Sequence, residues 1–421
     1  MSLWRHRDFL SLWAGQSISE IGSAVTKLAL PLTAVVVLDA SPFEVGLLTA
    51  AATVAFIVVT LPAGPIVDRF PKRTIMIICD AARLLIIGSV PVAWYVGLLG
   101  IGQLYAVALA AGACTVFFDV AYQSYVPAIV ARDQLADANG RLTTTQELAE
   151  LTGPGLGSVL VGMIGVAGAM IADAASYLVS LVALTRIRHR EPRRPSPPPG
   201  RAGRRSRMRA EIAEGMRFVL RHPILRRVVA CSATSNLFSS MATAMQVLFL
   251  VRVLGVDPAV TGLLLAAGAL GGILGGVLSG WLARTVGSAR IIWLSILVFG
   301  MPQFVAALAH PGWSVVLFPI GFGLSYFAIV SFNVAVVTYR QTVCPPELLG
   351  RMNAAIRWVV WSTIPVGGVV AGVLGTAVGI RPTLLVACLG TWAAGLWVFF
   401  SPLRRMRDFA GEPQVTGVAE R

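Results

Sequence analysis

Long apolar runs recur along the chain, each about as long as a helix must be to cross a hydrocarbon core of roughly 30 Å. They predict twelve spans: 9–38, 44–67, 73–97, 101–128, 139–164 and 167–187, then 223–252, 259–283, 288–309, 312–340, 353–378 and 381–402. The runs are continuously apolar and lack the strict alternation of an outer-membrane barrel. Short connectors rich in glycine, proline and charge separate them. The pattern predicts an all-α membrane protein of twelve transmembrane helices.

One segment breaks the pattern. EPRRPSPPPGRAGRRSR (191–207) is too rich in proline, glycine and arginine to form a packed element. The expected organisation is an N-terminal six-helix bundle (1–188), a basic Pro/Arg-rich cytoplasmic linker with a short amphipathic helix (189–222), a C-terminal six-helix bundle (223–405) and a cytoplasmic tail (406–421). The two halves repeat. A shift of 216 residues lays SPFEVGLLTAA (41–51) over DPAVTGLLLAA (257–267), with nine identities across residues 41–75, including Gly46, Ala50 and Gly64. A shift of 214 pairs Asn139 with Asn353 and Gly153 with Gly367. Duplicated halves with a substrate path between them are a recurrent plan of secondary transporters.

Composition sharpens this reading. Of 421 residues, 56% are hydrophobic and 13% charged, against about 25% charged in soluble domains. The net charge of +14 is concentrated, because residues 186–227 hold fourteen arginines against three glutamates and so carry +11 of it. Arginine blocks beside spans mark cytoplasmic loops, so the charge points to anionic lipid rather than nucleic acid. Arg69, Lys72, Arg73, Arg132, Arg141, Arg284, Arg290 and Arg351 share one side with the central segment and both basic termini, whereas the opposite connectors hold only Arg252 and Arg381. The expectation is a multi-pass protein of the cell membrane (inner or plasma membrane) with both termini cytoplasmic. No cleavable leader pattern opens the chain, so Met1 and the first span are expected to remain.

Catalytic and metal chemistry find little support. Five scattered cysteines (Cys79, Cys114, Cys231, Cys344, Cys388) suit neither disulfides nor zinc, and the four histidines lie outside the predicted spans. Only two lysines occur, Lys27 and Lys72, and neither follows a glycine, so a phosphate-cradling loop is absent. No cofactor is expected, and the chain is not read as an enzyme.

The connector GPIVDRFPKR (64–73) combines a small residue for close helix approach, an acid, a turn and two basic residues, as a conformational latch would. Gly64, Asp68, Arg69, Lys72 and Arg73 are its candidate residues, joined by Asp80 and Arg83, one turn apart in the third span. This stretch resembles the signature loop of the major facilitator superfamily, with Pro71 in place of the usual glycine; the second-half loop GWLARTVGSAR (280–290) puts Arg284 where the acid would stand. CDAARLL (79–85), DANGRL (137–142), ADAASYLVS (172–180) and the stretch from Glu214 to Leu225 look like recurring segments of the branch that includes enterobactin exporters and macrolide-efflux proteins. TGPGLGSVLVG (152–162) is similar to the glycine-proline motif in the fifth helix of superfamily exporters, making Gly153, Pro154, Gly155 and Gly157 a candidate packing or gating element.

Intramembrane charges are the strongest functional signal, since each costs about 2.5–3.5 kcal/mol or more at a helix centre. Glu20 and Lys27 lie in the first span, Asp119 in the fourth, Glu147 and Glu150 in the fifth, and Asp173 near the outer end of the sixth. A carboxyl group removed from water can load and release a proton near neutrality. Glu147 leads as proton-coupling candidate, followed by Asp119, Glu20 and Glu150; the alternative is that these acids pair with Lys27 or Arg83 to hold helices together. The fourth span lacks the arginine found there in many proton-driven drug exporters. Candidates for a substrate-cavity lining are Lys27, Trp94, Tyr122, Asn236, Gln246, Tyr326, Asn333, Trp358 and Trp361.

The resemblance and these residues imply a monomeric secondary active exporter of amphipathic small molecules such as drugs, siderophores or other secondary metabolites. It would work by alternating access, coupled to protons. An importer or narrow exchanger of the same fold, and a non-transporting sensor or scaffold, are the competing readings.

Overall fold

The computed structural model describes residues 6–67, 69–130, 134–188, 214–344 and 346–408. These residues form helices and short connectors without strands. Eleven described segments are long and apolar enough to cross a membrane. One of them, Thr152–Arg186, has 35 residues, about 52 Å at the helical rise and too long for a single crossing. It breaks at Gly165, whose φ of 73° and ψ of 173° lie in a region open essentially to glycine alone. The continuous helical stretch Leu135–Arg186 is therefore two antiparallel spans, and the described residues carry the predicted twelve.

We number these α1 to α12. The first half comprises α1 (Arg7–Leu32, extended by a π turn at Thr33–Val37), α2 (Pro42–Val67), α3 (Lys72–Val96), α4 (Ile101–Ile129), α5 (135–164) and α6 (166–186). The second comprises α7 (Pro223–Leu248, with a π turn at Phe249–Val253), α8 (Pro258–Val286), α9 (from Arg290 through broken helix to Ala307), α10 (Leu317–Val343), α11 (Pro346–Ala377) and α12 (Ile380–Phe399). A helical segment at 214–221 precedes α7. Linker residues 189–213 and the tail after residue 408 lie outside the described residues, as does Asp68.

Helix ends follow local chemistry. His6 Nδ1 accepts the Phe9 amide at 3.2 Å at the start of α1, and Ser41 with Glu44 forms a reciprocal cap before α2. Gly97, at φ 76°, ends α3 in the left-handed conformation. The departures from regular helix have a repeat of their own. The π turns at 33–37 and 249–253 are separated by the same 216 residues as the sequence repeat. Their backbone bonds also correspond, Leu38 to Thr33 and Ala40 to Ala34 in one half, Leu254 to Phe249 and Val256 to Leu250 in the other. The helix α9 has no such partner in the first half. A π turn at Ser295–Phe299 and a 3₁₀ turn at Met301–Gln303 interrupt it, where Pro302 withholds a backbone donor. The buried Gln303 amide fills the break, donating to the Cys388 carbonyl at 2.8 Å and accepting from Ser325 at 3.1 Å.

Two compact units emerge from the packing. One joins α1–α6 with Thr243–Ala266 and Gly368–Thr383; the other contains 214–242, Ala267–Gly367 and the chain from Leu384 onward. In the first, Phe9, Leu12, Met76, Phe118, Tyr125 and Leu184 make a core near the basic connectors. In the second, Leu225, Ile292, Phe332, Tyr339, Met352 and Leu403 make another. Lipid supplies no hydrophobic drive between helices, so close backbone approach matters more. A Cβ at Gly271 would stand 2.7 Å from Gly323 Cα and one at Gly275 2.6 Å from the Phe327 carbonyl, so glycine lets α8 lie directly against α10.

Candidate functional site

Small residues on α1 draw α6 unusually close. A Cβ on Gly15 would stand 2.8 Å from Ala183 Cβ, and one on Gly22 would collide with Ser176 Oγ. This approach encloses a polar cluster shared by α1, α3, α4 and α6. Asp80 and Arg83 are 0% and 4% exposed and form an ion pair at 2.5 Å. The guanidinium is held between two rings, 4.5 Å from the Phe118 centroid and 4.6 Å from that of Tyr177. The Tyr177 hydroxyl pairs with Ser23 at 2.8 Å. Asp173, fully buried, accepts hydrogen bonds from Thr26 and, at 3.2 Å, from Ser176. Asp173, in the first part of α6, packs inside the bundle. Asp80 and Arg83 likewise engage each other within the bundle, away from the connector with which the sequence reading grouped them.

A second group of charges is accessible. Lys27 and Glu150 form an ion pair between α1 and α5, their side chains 61% and 50% exposed. Glu20 accepts from Gln16 at 2.7 Å on the same helix. On α4, Asp119 and Tyr122 are half-buried, and Tyr122 packs on Phe118 at 6.1 Å. Glu147 belongs to α5, but its side chain lies outside the described residues. Of the four proton-coupling candidates, then, Glu150 has the lysine partner weighed for it.

The 152–157 motif acts at two helix contacts. A Cβ on Gly153 would run into Ala24 Cβ of α1, and one on Gly157 would stand 3.2 Å from Leu28 Cδ2. On its other side, Gly155 faces Ala266 of α8, while a Cβ on Gly262 would meet Ser158 Cβ at 2.6 Å. Ser158 donates to the Ala259 carbonyl. Pro154 leaves the helix continuous.

At the end away from the basic connectors, segments of both halves close against one another within the first unit. Arg252, in the π turn of α7, donates to the Asp39 carboxylate at 2.6 Å, directly after the π turn of α1. Arg381 lies 5.3 Å from the Phe249 ring centroid. A Cβ on Gly46 would stand 2.7 Å from Gly372 Cα, and one on Gly372 3.0 Å from Phe43 Cα, so α2 and α11 touch backbone to backbone. Asp39, Arg252 and the Gly46–Gly368–Gly372 contact did not stand out as site residues in the sequence. The alignment of Gly46 with Gly262, each at a tight inter-half crossing, was the available signal.

The remaining candidates are scattered. Gly64 is in the last turns of α2, Arg69 is exposed, and Lys72 opens α3. Arg73 reaches the end of α6, donating to the Leu184 carbonyl at 2.8 Å, which also accepts from the Ile187 amide, and to the Thr185 carbonyl at 2.7 Å in the last turn of the helix. Gln246 is buried in the first unit. In the second, Asn236 donates to the Val360 carbonyl at 3.4 Å, Tyr326 is half-buried and Asn333 exposed. Trp358 and Trp361 are exposed on α11, with the Arg357 guanidinium 4.7 Å from the Trp361 ring centroid. Trp94 is exposed near the end of α3. Among the described residues no group of His, Cys, Asp or Glu is arranged to hold a metal ion.

Known proteins match this chain along nearly its whole length. The profile of the transmembrane secretion effectors covers residues 1–416. The multidrug efflux pump Tap of Mycolicibacterium fortuitum is 26% identical over 413 residues, 96% of this chain and 97% of that protein. Tap of Mycobacterium tuberculosis (strain ATCC 25618 / H37Rv) is 26% identical over 424 residues, 97% of this chain and 96% of its own. Among solved structures, a bacterial homologue of the iron transporter ferroportin in an inward-facing state superposes with a TM-score of 0.75 at 15% identity, covering 95% of this chain and 99% of that one. A bacterial homologue of the human lysosomal transporter Spinster gives 0.72 at 16% identity, covering 96% and 98%. At these identities the two structures speak to the fold alone.

Proposed function

We propose, from the premise that this chain belongs to the transmembrane secretion effector family of the major facilitator superfamily, that it exports amphipathic small molecules, drugs among them, in exchange for protons. The chain is a multi-pass membrane transporter and not an enzyme. Similarity to multidrug efflux pumps over almost the full length supports the outward direction.

The observation that carries the coupling is the distribution of intramembrane charge. By the spans drawn from the sequence, Glu20, Lys27, Asp80, Arg83, Asp119, Glu150 and Asp173 all belong to the first half, whereas the second-half spans so drawn contain no acid, Glu347 lying in the first turn of α11 ahead of the span at 353–378. Ionisable groups are costly at that depth and are retained where protons, ions or substrates are handled. The first half then handles protons, with Glu147, Asp119, Glu20 and Glu150 as candidate carriers. Trp358, Trp361, Asn333 and Tyr326 of the second half supply aromatic and amide surface for a bulky substrate. Alternating access requires an end that seals and reopens. The Asp39–Arg252 pair and the α2–α11 glycine contact fit that role at the extracytoplasmic end, with both termini in the cytoplasm. The protein works as a monomer, its arginine-rich linker against anionic lipid.

Inside-out vesicles from an efflux-deficient host test this reading. With a pH dye inside, adding dyes, antibiotics or siderophores in turn releases protons only when the protein is present and its substrate is supplied. Silence across the panel with folded protein would overturn multidrug proton antiport.

A further inference from the structure

We propose that Asp173 is a proton-binding site of the first half, closed by Thr26 and Ser176. The inference deepens the proton-coupled reading and rests on it for its consequence in transport, but proton binding itself is measurable without any transport.

The geometry supports it in three ways. Asp173 is fully buried on α6, and it is hydrogen-bonded by two hydroxyls, Thr26 on Oδ2 and Ser176 on Oδ1. Among the described residues no cation stands within ion-pair distance of it. An isolated buried carboxylate is far costlier than its neutral acid, which two hydroxyls can satisfy because each both donates and accepts. No surrounding cation pairs directly with it. On α3, Arg83 is committed to Asp80 and to the Phe118 and Tyr177 rings. On α1, Lys27 is held by Glu150 of α5, and Glu20 is another acid. On α4 there is no basic residue. With Asp80 and Arg83 cancelling, the enclosed cluster is neutral when Asp173 carries a proton and carries a net negative charge when it does not.

The packing favours a proton over a metal ion. A Cβ on Gly22 would stand 2.5 Å from Asp173 Oδ1 and collide with Ser176 Oγ, so the α1 side of the carboxyl group has no room for a hydrated or coordinated cation. Access is nonetheless close by. Thr26, which bonds Asp173, directly precedes Lys27, whose ion pair with Glu150 is exposed. A small separation of α1 from α6 opens a hydroxyl-lined step from Asp173 to that exposed pair.

The test is infrared spectroscopy on the purified full-length protein in detergent, with no substrate added. A buried carboxylic acid gives a C=O stretch distinct from a carboxylate's. Wild type at neutral pH is expected to show such a band, and Asp173→Asn to lack it. A band unchanged in Asp173→Asn overturns the proposal. If Asp173→Asn does not fold, Thr26→Val serves: removing one hydrogen bond shifts the band to higher frequency, and an unmoved band overturns the proposal. Exchanging choline for sodium leaves the band in place, whereas its disappearance in sodium makes this a sodium site and overturns the proton assignment. A band that behaves as expected alongside absent vesicle antiport would refute proton-coupled efflux while leaving proton binding at Asp173 standing.

Discussion

Arg252 and Asp39 lie 213 residues apart in the chain and meet at 2.6 Å, Arg252 within the π turn that ends the first helix of the second half and Asp39 just after the one that ends the first helix of the first half. Because the two turns are related by the internal repeat, this ion pair links the same region of the two halves, three residues off the strict 216-residue register. The pair is asymmetric in exposure, with Arg252 at 27% and Asp39 at 95%. Solvent screening limits such a pair to at most about 1 kcal/mol. That is enough to bias a conformational equilibrium by about fivefold.

Asp39→Asn tests this, because asparagine tolerates the positive φ of 49° found at that position while losing the charge. Opening of the end away from the basic connectors is expected to increase by up to about fivefold, with little change in thermal stability. Labelling rates of a cysteine introduced at Gly46 or Gly372 would be disturbed by the glycine contact itself, so the label belongs at exposed Val36. An unchanged rate in Asp39→Asn and Arg252→Gln would show that the pair carries no gating energy.

The buried pair on α3 is expected to behave differently. Removing one member leaves an uncompensated charge in the interior, which costs about 3–5 kcal/mol. Asp80→Asn and Arg83→Gln should each lower the melting temperature strongly, and the double variant should recover part of the loss. Arg83→Lys should rescue poorly, because lysine lacks the flat guanidinium that fits between Phe118 and Tyr177. Additive losses in the double variant would show that the two side chains act independently.

Gly153→Ala places a methyl group against Ala24, and overpacking of that kind costs about 1–3 kcal/mol. Gly155→Ala meets Ala266 Cβ at 3.2 Å and is expected to be milder. Fluorescence-detected melting of the two variants orders them. Equal effects would mean that α1 moves aside more readily than its packing suggests.

Lys27→Gln and Glu150→Gln concern an exposed pair, so expression and melting should stay near wild type. Vesicle efflux is expected to fall at least tenfold in both if the pair takes part in coupling. Retained efflux in both variants would reduce it to a surface ion pair.

Much of this architecture was legible before any coordinates. The predicted spans begin and end within a few residues of the observed helices, except that α11 starts seven residues earlier, at Pro346, than the predicted 353. Apolar runs are read easily because every backbone polar group in lipid must bond within its own helix. The fifth and sixth spans were also separable, although they form one continuous helical stretch interrupted only at Gly165. The halves were visible as a 216-residue repeat, which recurs in the π turns.

The side-chain partners were much less accessible. Asp80 and Arg83 are one helical turn apart, so their pairing could be anticipated from period alone. Nothing in the local pattern placed Phe118 and Tyr177 on either side of that guanidinium, or Thr26 on Asp173. These residues are as many as 147 positions apart, and Thr26 reaches Asp173 where Gly15 and Gly22 allow α1 to lie against α6. The same holds for Arg252, one of two basic residues expected on the outer side, whose partner Asp39 is 213 residues away. Hydrophobic length, which is a local property, thus determined from sequence which segments span the membrane. Which charges are enclosed, paired or left open to water depends on helix rotation and close approach, and only the tertiary packing decided that.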